Sequence, residues 1–375
     1  MAGVPAVFVA IFSQFYSDSR FKKGGNHMRK NELYAAMKKA SRAVKSNCFF
    51  PNAGMMLVKL KDGRLSIAAR NSNEHLLVTT EADGKEINCI VNAATFLQVI
   101  NKMPAEEVQL SVSKGKLMVT SKNMKVGVPA ADGKEWLYPN RFEVEAENEL
   151  SRDILKTSHA LAKTGGNSLM ESYHLEISEV GFKVTALDEH RISIFGKTEN
   201  ALCQDIVLEG KLIQDAFALT DGKVVLQTDG EDIRLIGNDF ILSGKTRPER
   251  YFRIDQIIDS VCKYNCEAEI DISELKGALE VSTIIEPVTI LVPKDDVLEI
   301  RPKASNDGEG VFSVPAKVTG QIDGKAALNG KYLIDALASL EADRTKIRFI
   351  SFNKTYAISI VEGEQLEFIM PVMIR

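Results

Sequence analysis

The chain has 375 residues, 45% of them hydrophobic, and a formal net charge of −4 near neutral pH. Such a length holds roughly two to four domains with sizeable cores, and the composition excludes disordered and fibrous classes. The mild acidity excludes a protein that coats nucleic acid over its whole surface, while basic residues gathered on one face remain compatible with nucleic-acid binding.

In chain order, residues 1–12 (MAGVPAVFVAIF) are apolar but too short to span a bilayer, and they lack a basic n-region and a clear small-residue cleavage site. Residues 20–27 read as a flexible linker, so 1–27 is expected to be a poorly ordered extension, with the first domain opening at Met28. An amphipathic helix follows from Leu33 (LYAAMKKASRAV) and another at 94–103 (ATFLQVINKM). From Val108 come two alternating strands joined at Lys114-Gly115 (VQLSVSKGKLMVTS).

After a junction at Tyr138-Pro139-Asn140 the same order returns. It consists of a helix from Ile154 (ILKTSHALAKTG), strand-like stretches FKVTAL and ISIF around residues 188–191, a helix at 210–219 (GKLIQDAFAL), and strands from Val224 turning at Asp229-Gly230. A second junction lies in 248–258. Beyond it are a helix from Leu275 (LKGALEVSTII), a helix at 330–340 (GKYLIDALASL), and strands from Ile347 turning at Asn353-Lys354.

Three of these helices open on a small residue, Ala94, Gly210 and Gly330, which stand 116 and 120 residues apart. That spacing is a domain repeat, far longer than a solenoid unit. Because the flanking strands repeat as well, the chain reads as one α+β unit written three times, each with two helices packed on antiparallel sheet. The domains are expected at 28–142, 143–257 and 258–375, docked rigidly because neither junction is a long Gly/Ser linker.

Candidate chemistry is sparse. Cys48, Cys89, Cys203, Cys262 and Cys266 form an odd, scattered set, which points away from a disulfide framework and toward a reducing cytoplasm. Cys262 and Cys266 read as two buried thiols and not as a zinc half-site. Histidines at 27, 75, 159, 174 and 190 show no metal-binding spacing, no phosphate-binding glycine loop occurs, and neither metal nor cofactor is expected. Asp188-Glu189-His190-Arg191 is the cluster most like an acid-base centre, but no Ser or Cys stands in a nucleophile-elbow context. A hydrolase built on Asp188, Glu189 and His190 is one rival reading, and a non-replicative scaffold of the same fold is another.

Pro129-Ala130-Ala131-Asp132 ahead of the first junction, Asp188-Glu189-His190-Arg191-Ile192, Pro248 before Tyr251, and the ending Phe368-Ile369-Met370-Pro371-Val372-Met373 occur in this order with the triple repeat. In these features the chain from Met28 to Arg375 resembles the bacterial DNA polymerase III beta subunit family, the sliding clamps. The resemblance implies a head-to-tail homodimer in which six such domains close a ring around duplex DNA. It implies a non-catalytic processivity factor in the cytoplasm, with no membrane association. Its partners would be the polymerase III catalytic subunit, the clamp loader and other clamp-binding replication and repair proteins.

The resemblance also assigns residues. A hydrophobic pocket for partner peptides would use Met170, Leu187, His190, Arg191, Ile192, Pro248, Arg253, Ile254, Met370, Pro371, Val372 and Met373. Here the chain departs from the family, with Glu189 in place of the usual glycine and Leu187 in place of a common threonine. It also continues to Ile374-Arg375. Diffuse, sequence-independent attraction to DNA phosphates would come from Lys38, Lys39, Arg42, Lys102, Lys156, Lys163, Lys211, Lys276 and Lys331. The ring contact would pair Ile284 and Ile285 with Val126 and Val128 of a second copy.

Overall fold

A computed structural model of the chain describes residues 28–45, 50–139, 142–163, 165–198, 202–261, 263–304, 308–352 and 355–373. The expected extension at 1–27, Cys48, Cys262, Asn140, the Asn353-Lys354 turn and Ile374-Arg375 lie outside these. The first repeat comprises β1 (Met28–Arg29), α1 (Lys30–Ala40), β2 (Met55–Lys61), β3 (Arg64–Arg70), β4 (His75–Glu81), β5 (Ile87–Asn92), α2 (Ala93–Lys102), β6 (Glu107–Ser113), β7 (Lys116–Ser121) and β8 (Met124–Asp132). The second comprises β9 (Ala146–Leu150), a 3-10 helix (Arg152–Ala160), β10 (Ser172–Ser178), β11 (Gly181–Leu187), β12 (Arg191–Gly196), β13 (Leu202–Glu209), α3 (Gly210–Leu219), β14 (Val224–Thr228), β15 (Asp232–Ile236) and β16 (Phe240–Arg247). After a short α4 (Asp255–Val261), the third has β17 (Cys266–Asp271), α5 (Ile272–Ile285), β18 (Val288–Lys294), β19 (Val297–Pro302), β20 (Phe312–Gly320), β21 (Ala326–Asn329), α6 (Gly330–Ala338), β22 (Arg344–Phe352), β23 (Thr355–Glu362) and β24 (Gln365–Ile369).

The fold class read from the sequence stands: helices on antiparallel sheet, with every strand pairing antiparallel. Two local expectations shift. The segment from Ile154 forms a 3-10 helix ending at Ala160, with Ser151 as its cap accepting the Asp153 N–H, and it does not run on to Gly165. The register of the repeated helices also moves by one, because Ala93, and not Ala94, matches Gly210 and Gly330. Each helix starts directly after its strand, and Asn92 and Asn329 cap α2 and α6 by accepting the N–H of Thr95 and Lys331. The buried sets then coincide as Phe96 and Ile100, Ile213 and Phe217, Leu333 and Leu337. A small first residue is required at Gly330, where a Cβ would come within 2.5 Å of Thr283 Cγ2.

The described residues divide into two compact units: those up to Leu150 together with Asp215–Lys245, and Ser151–Gln214 together with Thr246 onward. In the first, strands run in the order β8-β5-β2-β3-β4-β16-β15-β14-β9. The second repeats that arrangement as β16-β13-β10-β11-β12-β24-β23-β22-β17, using the far end of β16. Each is a half of five strands from one repeat zipped to four strands of the next. Two further half-sheets, β1-β6-β7-β8 in the first unit and β21-β18-β19-β20 in the second, are not zipped to another repeat among the described residues; the far ends of β8 and β20 pair with β5 and β17 of their own repeats. No described helix is long and apolar enough to cross a membrane.

Candidate functional site

In the second unit, the β11–β12 turn is locked by one carboxylate. Asp188 donates its N–H to the Arg191 carbonyl at 3.0 Å, and its Oδ1 accepts the N–H groups of His190 and Arg191 at 2.8 and 3.0 Å. Its Oδ2 accepts Arg191 Nε at 3.0 Å. An aspartate is suited to this because its short side chain reaches the backbone two residues on. Asp188 thus meets His190 through the backbone N–H, which makes the pair a turn lock and not a proton relay.

Arg191 reaches on to α6. Its Nη1 donates to Asp335 Oδ2 at 3.0 Å, and its guanidinium lies 4.3 Å from the Tyr332 ring centroid. The His190 ring stacks on the same tyrosine at 5.9 Å. Burial would raise the Asp335 carboxyl, but hydrogen bonds from Lys331 and Arg191 outweigh it and hold the group below the ordinary carboxylate value.

Beneath this polar rim lies an apolar core. Leu187, Ile192, Tyr251 and Phe368 are buried in one cluster, and Met170, Ile254 and Met370 pack against it half-buried. Burial pushes the Tyr251 phenol upward; its hydroxyl donates to the Ser172 carbonyl at 3.3 Å. The tail is fastened by two backbone bonds, from Met370 N–H to the His190 carbonyl (2.8 Å) and from Val372 N–H to the Ala327 carbonyl (2.7 Å). Pro371 and Val372 are half-buried, and Met373 is 71% exposed beyond the last tether.

Of the pocket residues expected from the sequence, Met170, Leu187, Ile192, Ile254 and Met370 are brought together, and His190 and Arg191 form the rim. Pro248 and Arg253 are exposed. Sequence reasoning left out Phe368 as a lining residue, and Tyr332 and Asp335 altogether. The Lys331…Asp335 pair at helical spacing on a repeated helix was the available signal for the last.

The opposite face of the β12·β24 seam holds a buried carboxylate. Glu367, 2% exposed, accepts Ser193 Oγ at 2.6 Å and Gln365 Nε2 at 2.8 Å, and lies 3.0 Å from His159 Nε2.

Several expected DNA-facing cations are matched by acids: Lys39 with Asp239 (2.6 Å), Arg42 with Asp215 (2.9 Å), Lys156 with Asp153 and Glu341 (3.1 and 2.9 Å), and Lys331 with Asp335 (2.9 Å). Lys38, Lys102, Lys163 and Lys211 are exposed and Lys276 is half-buried. At the expected ring contact Ile284 is 84% exposed, Ile285 and Val126 are half-buried, and Val128 is turned into its own core at 1%. Val128 therefore has no side chain to offer a second copy.

Residues 27–139 match the family model for the N-terminal domain of the DNA polymerase III beta subunit. Among curated proteins the chain is 21% identical over 379 residues to the beta sliding clamp of Lactococcus lactis, with 92% of this chain and 98% of that one aligned. It is 20% identical over 364 residues to the beta sliding clamp of Staphylococcus aureus, with 88% and 94% aligned. Among solved structures it is similar to the DNA polymerase III beta subunit of Thermotoga maritima (TM-score 0.82, 19% identity, 93% of this chain and 99% of that one). It is also similar to the DNA polymerase sliding clamp of Bacillus subtilis (TM-score 0.84, 16% identity, same coverage). The resemblance read from the sequence stands, and the fold is that of these proteins.

Proposed function

We propose that this chain, which has the fold of the DNA polymerase III beta subunits, works as a DNA sliding clamp, a non-catalytic ring that holds a replicative polymerase on duplex DNA. The observation that carries the reading is the pair of half-sheets that, among the described residues, are not zipped to another repeat, β1-β6-β7-β8 and β21-β18-β19-β20. Twice within the chain such a half is zipped to the next repeat, at β4·β16 and at β12·β24. A second copy placed head to tail supplies the missing complements by setting β20 beside β8. Two such contacts close a two-fold ring of six domains, 28–142, 143–257 and 258–375 from each chain. Exposed Ile284 and Val281, one turn apart on α5, would be covered by this contact.

A ring retains DNA by topology, so it needs only weak phosphate attraction. The partly neutralised Lys39, Arg42, Lys156 and Lys331 suit sliding better than a grip. The cleft over Leu187, Ile192, Phe368 and Met370 would take short apolar peptides from the polymerase catalytic subunit, the clamp loader and repair proteins. Each buried leucine or phenylalanine anchor would contribute roughly 1.5 to 3 kcal/mol, which permits exchange of partners. The flexible methionines at 170, 370 and 373 tolerate several sequences. Free thiols at Cys89, Cys203 and Cys266 suit a reducing cytoplasm.

Sedimentation tests the ring contact. The chain should run at twice its 41.4 kDa mass at micromolar concentration, and Ile284→Asp should run as a folded monomer. A wild-type chain that sediments as a monomer throughout would refute the reading.

A further inference from the structure

The strand pairing that carries the apolar cluster of the second unit occurs a second time, in the first unit. Asn71 donates its N–H to the Glu74 carbonyl at 3.0 Å, and Asn71 Oδ1 accepts the N–H groups of Asn73 and Glu74 at 2.9 and 3.1 Å. This is the turn that Asp188 makes before Arg191. β3 and β4 leave it as β11 and β12 leave the other, and β16 pairs with β4 as β24 pairs with β12. Directly opposed residues on antiparallel neighbours share a face. One cross-strand row therefore runs Leu187, Ile192, Phe368, Ser359. Its counterpart runs Arg70, His75, Ser243, Arg234.

The polar row lines a cleft of about 170 Å³, together with Tyr138, Phe142 and Lys245. His75 is fixed within it, its Nε2 accepting Trp136 Nε1 at 3.1 Å, and burial pushes its pKa down to about 3, so it carries no charge at neutral pH. The charges sit at the ends of the row. The Arg234 guanidinium lies 4.1 Å from the Phe142 centroid and that of Arg70 lies 4.2 Å from Phe50, while Arg70 Nη1 donates to the Leu137 carbonyl. Arg70 Nε and Ser243 Oγ, the latter on a residue 8% exposed, are buried donors that meet no acceptor among the described residues. Unmatched hydroxyls occur elsewhere, at Thr185, Thr345 and Ser359. Among the described residues, only here does one share a row with an unmatched guanidinium nitrogen.

We propose that this cleft is a second binding site, one that accepts the carboxylate of a glutamate or aspartate side chain on a partner peptide. A small rotation of the two side chains turns Arg70 Nε and Ser243 Oγ, both closed to solvent, to donate to it, and Lys245 stands at the rim. The cleft volume suits one side chain and is too small for a nucleotide. Glu74 and Asp232 also line it, and their charges disfavour a dianion such as phosphate while leaving room for a monoanion. A carboxylate would restore to both donors the acceptor that burial denies them. The inference does not depend on the chain being a clamp, since it uses only the first unit's own side chains.

Trp136 is the only tryptophan, and its bond to His75 makes its fluorescence a reporter of the cleft. The full chain would be titrated with acetyl-Ala-Glu-Ala-amide, with the matching Gln peptide and with inorganic phosphate. The Glu peptide should change Trp136 emission saturably, and the Gln peptide should bind at least about tenfold more weakly. Arg70→Gln should weaken the Glu peptide about tenfold, and Ser243→Ala about threefold, with melting curves unchanged. Equal affinity for the Glu and Gln peptides, preference for phosphate over the Glu peptide, or a folded Arg70→Gln chain that binds as before would overturn the proposal. If Arg70→Gln does not fold, Ser243→Ala decides, and unaltered affinity there would overturn it as well.

Discussion

Where β12 meets β24, Leu187, Ile192 and Phe368 close over an apolar core; where β4 meets β16, the matching positions are Arg70, His75 and Ser243. The turns that set the two registers are alike, one built on Asp188 and the other on Asn71, each using a short side-chain oxygen to hold two backbone N–H groups. The backbone geometry of a seam is therefore separable from the chemistry of the face it presents. Repeating one unit supplies equivalent seams, and side chains decide what face each presents.

Moving residues between the seams should break this comparison most sharply. Phe368→Ser places the polar seam's residue in the apolar one, removes a fully buried aromatic ring, and should cost about 3–5 kcal/mol in urea denaturation while abolishing binding of an apolar partner peptide. A loss under 1 kcal/mol would mean the row is not a packed core.

The reverse face of the apolar seam comes next. Glu367→Ala would leave Ser193 Oγ and Gln365 Nε2 facing a buried gap, and should cost about 3 kcal/mol, measured in the same way.

The polar seam should reveal itself through pH. The folded-state pKa of His75 is pushed down by burial to about 3 from the ordinary histidine value of 6.5, so the unfolded chain binds a proton that the folded chain refuses. Stability is thus unaffected by His75 above pH 6.5 and falls as pH drops from 6.5 toward 3. About 2 kcal/mol should be lost between pH 7 and pH 5 from this group. His75→Gln, whose amide oxygen can still accept Trp136 Nε1, should flatten that part of the acid limb in denaturation curves recorded at the two pH values.

The smallest effect is expected at the turns. Asn71→Ala and Asp188→Ala should each cost about 1–2 kcal/mol in urea denaturation, since each loses the two backbone bonds of its turn and a further contact, Asp188 that to Arg191 Nε and Asn71 that of its Nδ2 to the Ala43 carbonyl. A loss below about 0.5 kcal/mol at either would mean that its side chain does not hold the turn.

Much of this organisation was legible in the sequence because it rests on local patterns. Amphipathic spacing located the helices, and polar turns such as Lys114-Gly115, both at positive φ, located the hairpins. The one-residue slip at Ala93 arose because Ala93 and Ala94 are equally small, and only burial of Phe96 and Ile100 distinguishes their roles. The 3-10 helix after Ser151 was hidden because apolar spacing separates it poorly from an α-helix.

The site was half legible. Met170, Leu187, Ile192 and Met370 follow from resemblance, whereas Tyr332 and Asp335 enter only through the long-range meeting of α6 with the Asp188 turn. The polar seam could not be read at all. Arg234 and Ser243 face each other across the β15·β16 hairpin, but Arg70 is far from both in the chain and joins their row only through β4·β16 pairing, which nothing local signals.

Retention on DNA tests the closed ring most directly. The protein, loaded by a clamp loader onto nicked circular plasmid and passed through a sizing column in high salt, should elute with the DNA. After the plasmid is cut once with a restriction enzyme it should be lost, because a topological link ends when the circle opens. Equal retention on circular and linear DNA, or none on either after loading, would contradict a sliding clamp.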